Sequence, residues 1–293
     1  MNAEIEVFLK DLNASETGED WIEAMENYID CFPNTAIDYL ALDNTSFLIE
    51  RGKTLLVVFE SAEQHAQKNS NAFPTGWRTA DSKGWSHLSI VTLQATQESS
   101  LDVIKYVTRQ VKKGALAQFE NVVFVGIAKT STLAVACSEL IAQSTVVLVH
   151  PDAAEESDAA DQAPKSANTA KRFVIVSDPA EPVALEKSVD LSGSEVLQLN
   201  CRHMGYKTEE FVRSFELMPI LFDLATSETP DASAFYAKLR TEKRTHRAYW
   251  RNLLRKLDKD SKPNLTRMLC ASVHASLGGR VFKRELERLG DNS

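Results

Sequence analysis

The sequence predicts an α/β protein with a mainly parallel sheet flanked by helices. Runs of β-branched and aromatic residues begin near residue 45 and recur as far as residue 199. Several of these runs are continuously apolar rather than alternating, as strands covered on both faces require. Helical periodicity fills the intervals at about 98–115 and 130–142, so strand and helix alternate along the chain.

Seven runs are predicted to be strands, and they cover residues 46–49, 55–59, 87–91, 122–125, 146–149, 173–176 and 195–199. Amphipathic helices are predicted before and after them, at residues 2–12, 19–30, 207–222, 231–240, 242–257, 264–275 and 278–290. We therefore divide the chain into an N-terminal helical arm (1–44), a core (45–205) and a C-terminal helical portion (206–293). Residues 151–170 carry no large apolar side chain, which predicts a mobile acidic insertion within the core.

Composition and charge exclude several classes of protein. The net charge of −8 opposes general attraction to nucleic acid, and no apolar run approaches the ~20 residues of a bilayer span. The acidic N-terminus lacks the basic start and apolar stretch of a secretory signal. The four cysteines are scattered and form no CxxC pair, as in a reduced protein. We therefore predict a cytoplasmic protein without a membrane span.

The strand at 122–125 runs into the pentapeptide Gly-Ile-Ala-Lys-Thr and then into a predicted helix. A strand that turns sharply into a helix through small residues is typical of the nucleophile elbow, which reads G-x-S-x-G in hydrolases. The turn exposes its central side chain and aims helix N-terminal amides at developing negative charge. Ala128 fills the central position here and carries no nucleophilic atom.

An acid and a histidine follow two later strands. Asp178 comes directly after the strand at 173–176, and His203 follows the strand at 195–199. The order of Ala128, Asp178 and His203 matches the order nucleophile, acid, histidine of α/β-hydrolases. This order predicts an α/β-hydrolase-like sheet with a vestigial triad. The alternatives are a turn or N-cap role for Asp178 and a hydrogen-bonded structural role for His203.

At these residues the chain resembles an alphaproteobacterial group of α/β-hydrolase-like proteins, some of which carry the label phosphoadenosine phosphosulfate reductase. The matching stretches are residues 84–88, 122–130, 178–179, 201–205, 235–240, 247–249 and 280–282. Relatives tend to have a glycine-rich elbow without a serine, so the resemblance implies a lineage lacking the usual nucleophile. Residues 92–100 and the insertion depart from the group's pattern.

The reductase label predicts features that the sequence does not carry. A sulfonucleotide reductase is expected to have a phosphate loop of the S-G-G-K-D-S type and a reactive cysteine in an E-C-G-x-H context, and neither is present. Cys201 lies two residues before His203, and Arg202 between them could favour a thiolate. A buried structural cysteine is the alternative. The pair Cys201 and His203 supplies too few ligands for a zinc site, and we predict no metal or cofactor.

Other side chains near the elbow have two interpretations each. Thr130 and Ser131 are predicted to cap the following helix, and alternatively one of them replaces the nucleophile and acts with His203. Lys129 is predicted to face solvent, and alternatively attracts an anionic ligand. Glu60, after the strand at 55–59, would oppose acyl transfer if its carboxylate pointed towards the developing oxyanion.

Arg247, Arg251 and Arg255 recur every four residues and form a basic ridge on one predicted helix. The ridge is interpreted as a solvated face or as a site for phosphate, sulfate or an acidic protein surface. Its neighbouring apolar stripe, which contains Trp250 and Leu254, is expected to pack on the sheet.

The leading functional hypothesis is an α/β-hydrolase-like protein that lacks the usual serine and serves as a non-catalytic binding or accessory protein. The first alternative is an active hydrolase or transferase that uses Ser131 or Thr130 with His203. The second alternative is a sulfur-metabolism reductase. The expected partner is a small molecule or an acidic protein surface rather than nucleic acid.

Overall fold

A computed structural model of the chain describes residues 3–41, 44–66, 73–93, 97–151, 170–180, 191, 193–259 and 262–290. The strands in these ranges are β1 (Thr35–Tyr39), β2 (Asn44–Ile49), β3 (Thr54–Ser61), β4 (Ser86–Thr92), β5 (Asn121–Ile127), β6 (Thr145–Val149), β7 (Arg172–Ser177) and β8 (Glu195–Asn200). They form one sheet in the order β1-β2-β4-β3-β5-β6-β7-β8. Strand β2 runs antiparallel to both neighbours, and the pairs from β4 through β8 are parallel.

The described helices surround this sheet. Before it lie α1 (Ala3–Ala14) and α2 (Gly18–Ile29), and between its strands lie α3 (Ala62–Ala66), α4 (Trp77–Lys83), α5 (Gln97–Lys112) and α6 (Ser131–Ser138). After β8 follow α7 (Thr208–Ser214), α8 (Met218–Thr226), α9 (Ser233–Thr245), α10 (Arg247–Lys259), α11 (Pro263–Leu277) and α12 (Arg280–Gly290). None of these described helices has the length and apolar character needed to span a bilayer.

Alternate residues of the central strands point to opposite faces of the sheet and build two apolar clusters. On β3, Leu56 and Val58 belong to one cluster, whereas Leu55 and Val57 belong to the other. Side chains of α7 to α10 complete the first cluster, and side chains of α5 and α6 complete the second. Because helices cover both faces, the strands are apolar at successive positions, which confirms the predicted mainly parallel α/β sheet.

The N-terminal helices pack beside the antiparallel edge of the sheet. Helix α2 begins at a capping box, in which the Thr17 hydroxyl accepts from the N–H of Asp20 at 3.1 Å and the Asp20 carboxylate accepts from the N–H of Thr17 at 3.0 Å. Its buried Trp21 and Met25 join a cluster with Phe47 of β2. The helices thus cover a part of the sheet that the central clusters leave open.

The predicted strands are all present, but one strand was not predicted and two breaks between helices were missed or misplaced. The arm at 1–44 also contains β1, whose pattern is weak because the strand lies at the sheet edge and is partly exposed. The helix predicted at 207–222 is two helices, α7 and α8, because the chain turns at Glu216, where φ is +50°. The break between α9 and α10 falls at His246, whose backbone is extended. Residues 152–169 of the predicted insertion lie outside the described residues.

Candidate functional site

The turn from β5 into α6 has the backbone of a nucleophile elbow. Strand β5 ends at Ile127, and Ala128 follows with a φ of +50°, in the left-handed region that residues with a Cβ rarely adopt. Helix α6 begins at Ser131, directly after a 3₁₀ turn. Gly126 permits this close return, because a Cβ there would lie 2.6 Å from the Cα of Ser131. The predicted strand–turn–helix is therefore present, with a half-buried alanine at its centre.

The hydroxyls of Thr130 and Ser131, beside the elbow, differ in their hydrogen bonding. Thr130 Oγ1 accepts from the N–H of Ile127 at 2.9 Å and donates to the carbonyl of Ile127 at 3.0 Å, so it closes the turn. Ser131 is fully buried, and its Oγ has no hydrogen-bond partner among the described residues. Lys129 is exposed. The turn thus uses the threonine hydroxyl for its own geometry and keeps the serine hydroxyl away from solvent.

Asp178 lies immediately after β7 and is 2% exposed. Its Oδ1 accepts from the N–H of Ala180 at 3.0 Å, which is the turn role considered for this residue. Its Oδ2 accepts from the N–H of Gly205 at 2.8 Å. The carboxylate therefore closes the turn after β7 through Ala180 and fastens the loop after β8 to this turn through Gly205.

His203 lies in the loop after β8 and has a left-handed backbone, with a φ of +69°. Its Nδ1 is buried and has no hydrogen-bond partner in the part of the chain that the structure describes. Burial lowers the pKa of His203, Lys256 lowers it further, and Asp178 opposes the shift. Asp178 therefore acts on the ring through its charge. No hydrogen bond between the two side chains occurs within the described ranges, unlike the acid–histidine couple of a working triad.

A mainly parallel sheet covered on both faces, with a strand-to-helix elbow and with an acid and a histidine after two later strands, is the arrangement of α/β-hydrolases. The fold is α/β-hydrolase-like. No protein-family model and no curated protein matches the chain.

Solved structures of hydrolases resemble the chain at low identity. One is an arylesterase, with 13% identity over 77% of this chain and 99% of that chain and a TM-score of 0.44. Another is an alpha-beta serine hydrolase homologue from Coxiella burnetii, with 13% identity over 65% and 96% of the two chains and a TM-score of 0.45. A third is an esterase of Pyrobaculum calidifontis, with 12% identity over 78% and 94% and a TM-score of 0.40. Because these similarities are low, the fold assignment depends on the sheet topology and the elbow.

A second polar group, outside the predicted triad, is buried at the carboxyl end of β3. The Glu60 carboxylate pairs with His65 and accepts from the N–H of Thr75 at 2.6 Å. Burial alone would raise the pKa of Glu60, but the His65 ring, Arg213 and the Thr75 N–H together lower it to about 2. Glu60 is therefore ionised at neutral pH. Its hydrogen bonds go to His65 and Thr75.

Side chains of two C-terminal helices form hydrogen bonds with the backbone of the loop that carries His203. The Tyr236 hydroxyl of α9 accepts from the N–H of Asn200 at 3.1 Å. The Lys243 ammonium, also on α9, donates to the carbonyl of Arg202 at 3.0 Å. Asn252 of α10 donates to the carbonyls of His203 and Met204, each at 2.9 Å. Two helices thus fix the backbone around the predicted triad histidine.

Sequence reasoning missed Lys243 and Asn252 as residues of this region. Neither belongs to a motif, and each lies more than 40 residues along the chain from its partner, at separations of 41 and 49. A weak signal was available, because Tyr236 falls in one of the stretches that resemble the α/β-hydrolase-like group.

The predicted arginine ridge lies on the outer face of α10. Arg247, Arg251 and Arg255 are all exposed, and Arg247 Nη2 donates to the carbonyl of Leu277 at 2.6 Å. The expected packing of the apolar stripe on the sheet is correct in part. Trp250 contacts the sheet-side cluster, whereas Leu254 packs in a separate cluster with residues of α11 and α12. The ridge therefore belongs to a helix that packs partly against the sheet-side cluster and partly against α11 and α12.

Cys201 directly follows β8, two residues before His203, and is fully buried. Burial raises the pKa of its thiol to about 12, despite the opposing effect of Lys243. The thiol is therefore protonated at neutral pH, unlike a reactive cysteine. Among the described residues, no three side chains of His, Cys, Asp or Glu are grouped so as to hold a metal ion.

Proposed function

We propose that this protein is a non-catalytic relative of the α/β-hydrolases that binds a small molecule above the carboxyl ends of β5, β7 and β8. The observation that carries the proposal is the elbow, which keeps its strained left-handed backbone at Ala128 although the side chain there is a methyl group. Backbone strain of this kind costs free energy and is concentrated at functional sites. Its retention without a nucleophile favours ligand binding over attack on a carbonyl.

The surroundings of Asp178 and His203 support the same proposal. A triad needs the acid to accept from Nδ1 of the histidine, so that Nε2 can take a proton from the nucleophile. Both oxygens of Asp178 instead accept from backbone N–H groups. The acid thereby orders the walls of the site and leaves Nδ1 of His203 without a hydrogen-bond partner among the described residues.

An active enzyme that uses Thr130 or Ser131 is the competing function. The Thr130 hydroxyl is occupied by the turn, and the Ser131 hydroxyl is fully buried. A nucleophile must lie within hydrogen-bond reach of its base and be open to substrate. Neither hydroxyl fits that requirement in this arrangement.

Labelling with a fluorophosphonate probe tests the proposal. We expect no labelling of the purified full-length protein and no turnover of p-nitrophenyl acetate above the rate of a Ser131→Ala, Thr130→Val double variant. An active serine esterase serves as the positive control. Labelling that disappears in Ser131→Ala or in Thr130→Val would establish the competing function instead.

The remaining sequence predictions stay proposals. Membership of the alphaproteobacterial group and a cytoplasmic location rest on the resemblance and on composition. A ligand role for Lys129, Arg247 and Arg251 rests on their charge and exposure. A reductase activity would depend on Cys201, and loss of that activity in Cys201→Ser is its test, although the buried, protonated thiol argues against it.

A further inference from the structure

Three basic side chains lie on the loop of His203 or on the helices that cover it. Arg202 precedes His203 in the loop, and the Lys243 ammonium of α9 donates to the carbonyl of Arg202. Lys256 of α10 lies one helical turn after Asn252, which donates to the carbonyl of His203. The charge of each one acts on the imidazole in the same direction, since each lowers the pKa of His203. We name these four residues, Arg202, His203, Lys243 and Lys256, the basic cluster.

The positions of the two lysines are fixed by the packing of α9 and α10. The Lys243 ammonium donates to the carbonyl of Arg202 at 3.0 Å and lies 4.9 Å from the centre of the Tyr249 ring. Asn252 faces the same loop, because it donates to the carbonyl of His203 at 2.9 Å. Lys256 follows Asn252 by one helical turn and therefore lies on the face of α10 that covers the loop.

The positive charges of the basic cluster are only partly balanced by nearby negative charge. Within the described residues, none of Arg202, Lys243 and Lys256 forms an ion pair with a carboxylate. Asp178 acts on His203 and Lys243 by its charge, but its oxygens accept from backbone N–H groups. Partly buried cations are normally paired, because removing an ammonium from water costs free energy that a counter-charge must offset.

From this arrangement we infer that the basic cluster binds the oxyanion group of a small ligand, of the phosphate, sulfate or carboxylate class. The inference rests on the proposed binding function and names its ligand class. Lys243 and Lys256 provide ammonium donors, Arg202 a guanidinium and His203 a buried ring nitrogen without a protein partner. Such donors form short, charge-assisted hydrogen bonds with oxyanions. The oxygens of Asp178 accept from backbone N–H groups, so the donors of the cluster are not hydrogen-bonded to this carboxylate.

Titration of the full-length protein with inorganic phosphate, sulfate and acetate tests the inference. The ionic strength is held constant with sodium chloride, and binding is followed by isothermal titration calorimetry and by the unfolding midpoint. We expect a saturable response to at least one oxyanion, and the three arms identify the class. Imidazole resonances of His203 should shift in parallel with binding.

Variants of the cluster separate specific binding from general attraction to a basic surface. Lys256→Gln and Arg202→Gln are each expected to raise the dissociation constant roughly ten-fold. This is the usual effect of losing one charge-assisted hydrogen bond. Arg284→Gln removes the same charge from an exposed position of α12, outside both the basic cluster and the arginine ridge, and should leave binding unchanged. Circular dichroism confirms that each variant is folded. If Lys243→Gln does not fold, the other two variants still decide.

The outcomes are distinct for the two proposals. Absence of a saturable response, or equal weakening in Arg284→Gln, overturns the anion site and leaves the fluorophosphonate result unaffected. Saturable binding that depends on the cluster, together with serine-type labelling, supports the anion site and overturns the non-catalytic function. Cluster-dependent binding without labelling supports both.

Discussion

Ala128 combines a left-handed backbone with a side chain that has no nucleophilic atom. In the left-handed region the Cβ of a residue lies too close to the following carbonyl oxygen, which costs about 1 kcal/mol or more. The elbow accepts this cost at φ +50°, where the absence of a Cβ at Gly126 lets the chain return close to Ser131. The elbow therefore keeps its left-handed backbone with a methyl group in the place of a nucleophile.

This strain predicts the effect of a glycine at the elbow. We expect Ala128→Gly to raise the free energy of unfolding by up to about 1 kcal/mol, because glycine reaches positive φ without the steric cost. Urea denaturation measures the change. Ala136→Gly, inside α6, is the matched control and should lower the free energy of unfolding by about 1 kcal/mol. Equal destabilisation by both variants would mean that residue 128 is not left-handed.

At the scale of elements, the important contact is between α10 and the loop after β8. Helix α10 has one face on the loop, through Asn252, and another face with the exposed arginine ridge. The loop carbonyls would otherwise be satisfied by water. Because the helix supplies their donors, the position of His203 depends on a segment that comes later in the chain.

Removing that contact has a predictable result. We expect Asn252→Ala to lower the free energy of unfolding by roughly 1–2 kcal/mol, since two loop carbonyls lose their donor. Amide hydrogen exchange at residues 201–205 should become faster. Arg251→Ala, the exposed neighbour, is the control and should change neither quantity. If both variants behave alike, the helix does not hold the loop.

At the scale of the whole molecule, a buried network joins the N-terminal helices to the C-terminal ones. The Trp21 ring of α2 stacks on the His65 ring, with 4.6 Å between the ring centroids, and His65 pairs with Glu60. Thr75 binds Glu60 and also accepts from Arg213 of α7 at 3.0 Å. The predicted arm, core and C-terminal portion are therefore connected through polar contacts as well as through apolar packing.

This network predicts how stability depends on pH. The folded pKa of Glu60, about 2, lies below its ordinary value of 4.5, so ionised Glu60 stabilises the fold above pH 4.5 and loses this effect as the pH falls towards 2. We expect Glu60→Gln to lower the free energy of unfolding at pH 7 by roughly 3 kcal/mol, because a buried pair is broken.

Urea denaturation from pH 7 to pH 2 measures the effect. The difference between wild type and Glu60→Gln should shrink as the pH falls from 4.5 towards 2. Glu63→Gln, at an exposed neighbouring position, should follow the wild type throughout. A wild-type advantage that stayed constant over this range would show that the charge of Glu60 is not what stabilises the fold.

The strands and the elbow could be predicted because their signals are local. Continuous apolar runs identify strands buried on both faces, and a glycine two residues before the turn allows a close strand–helix approach. Strand β1 could not be predicted in this way, since an edge strand is half exposed and its pattern resembles a loop. The helix breaks at Glu216 and His246 were likewise misplaced, because tertiary packing overrides weak propensity.

The sequence by itself determined that a methyl group occupies the centre of the elbow and that an acid and a histidine follow β7 and β8. It did not determine their partners. Whether Asp178 accepts from a histidine or from backbone amides depends on differences of about an ångström, which a pattern of residue types does not encode. Only tertiary structure placed Lys243 and Lys256 beside His203, because the packing of α9 and α10 brings distant parts of the chain together.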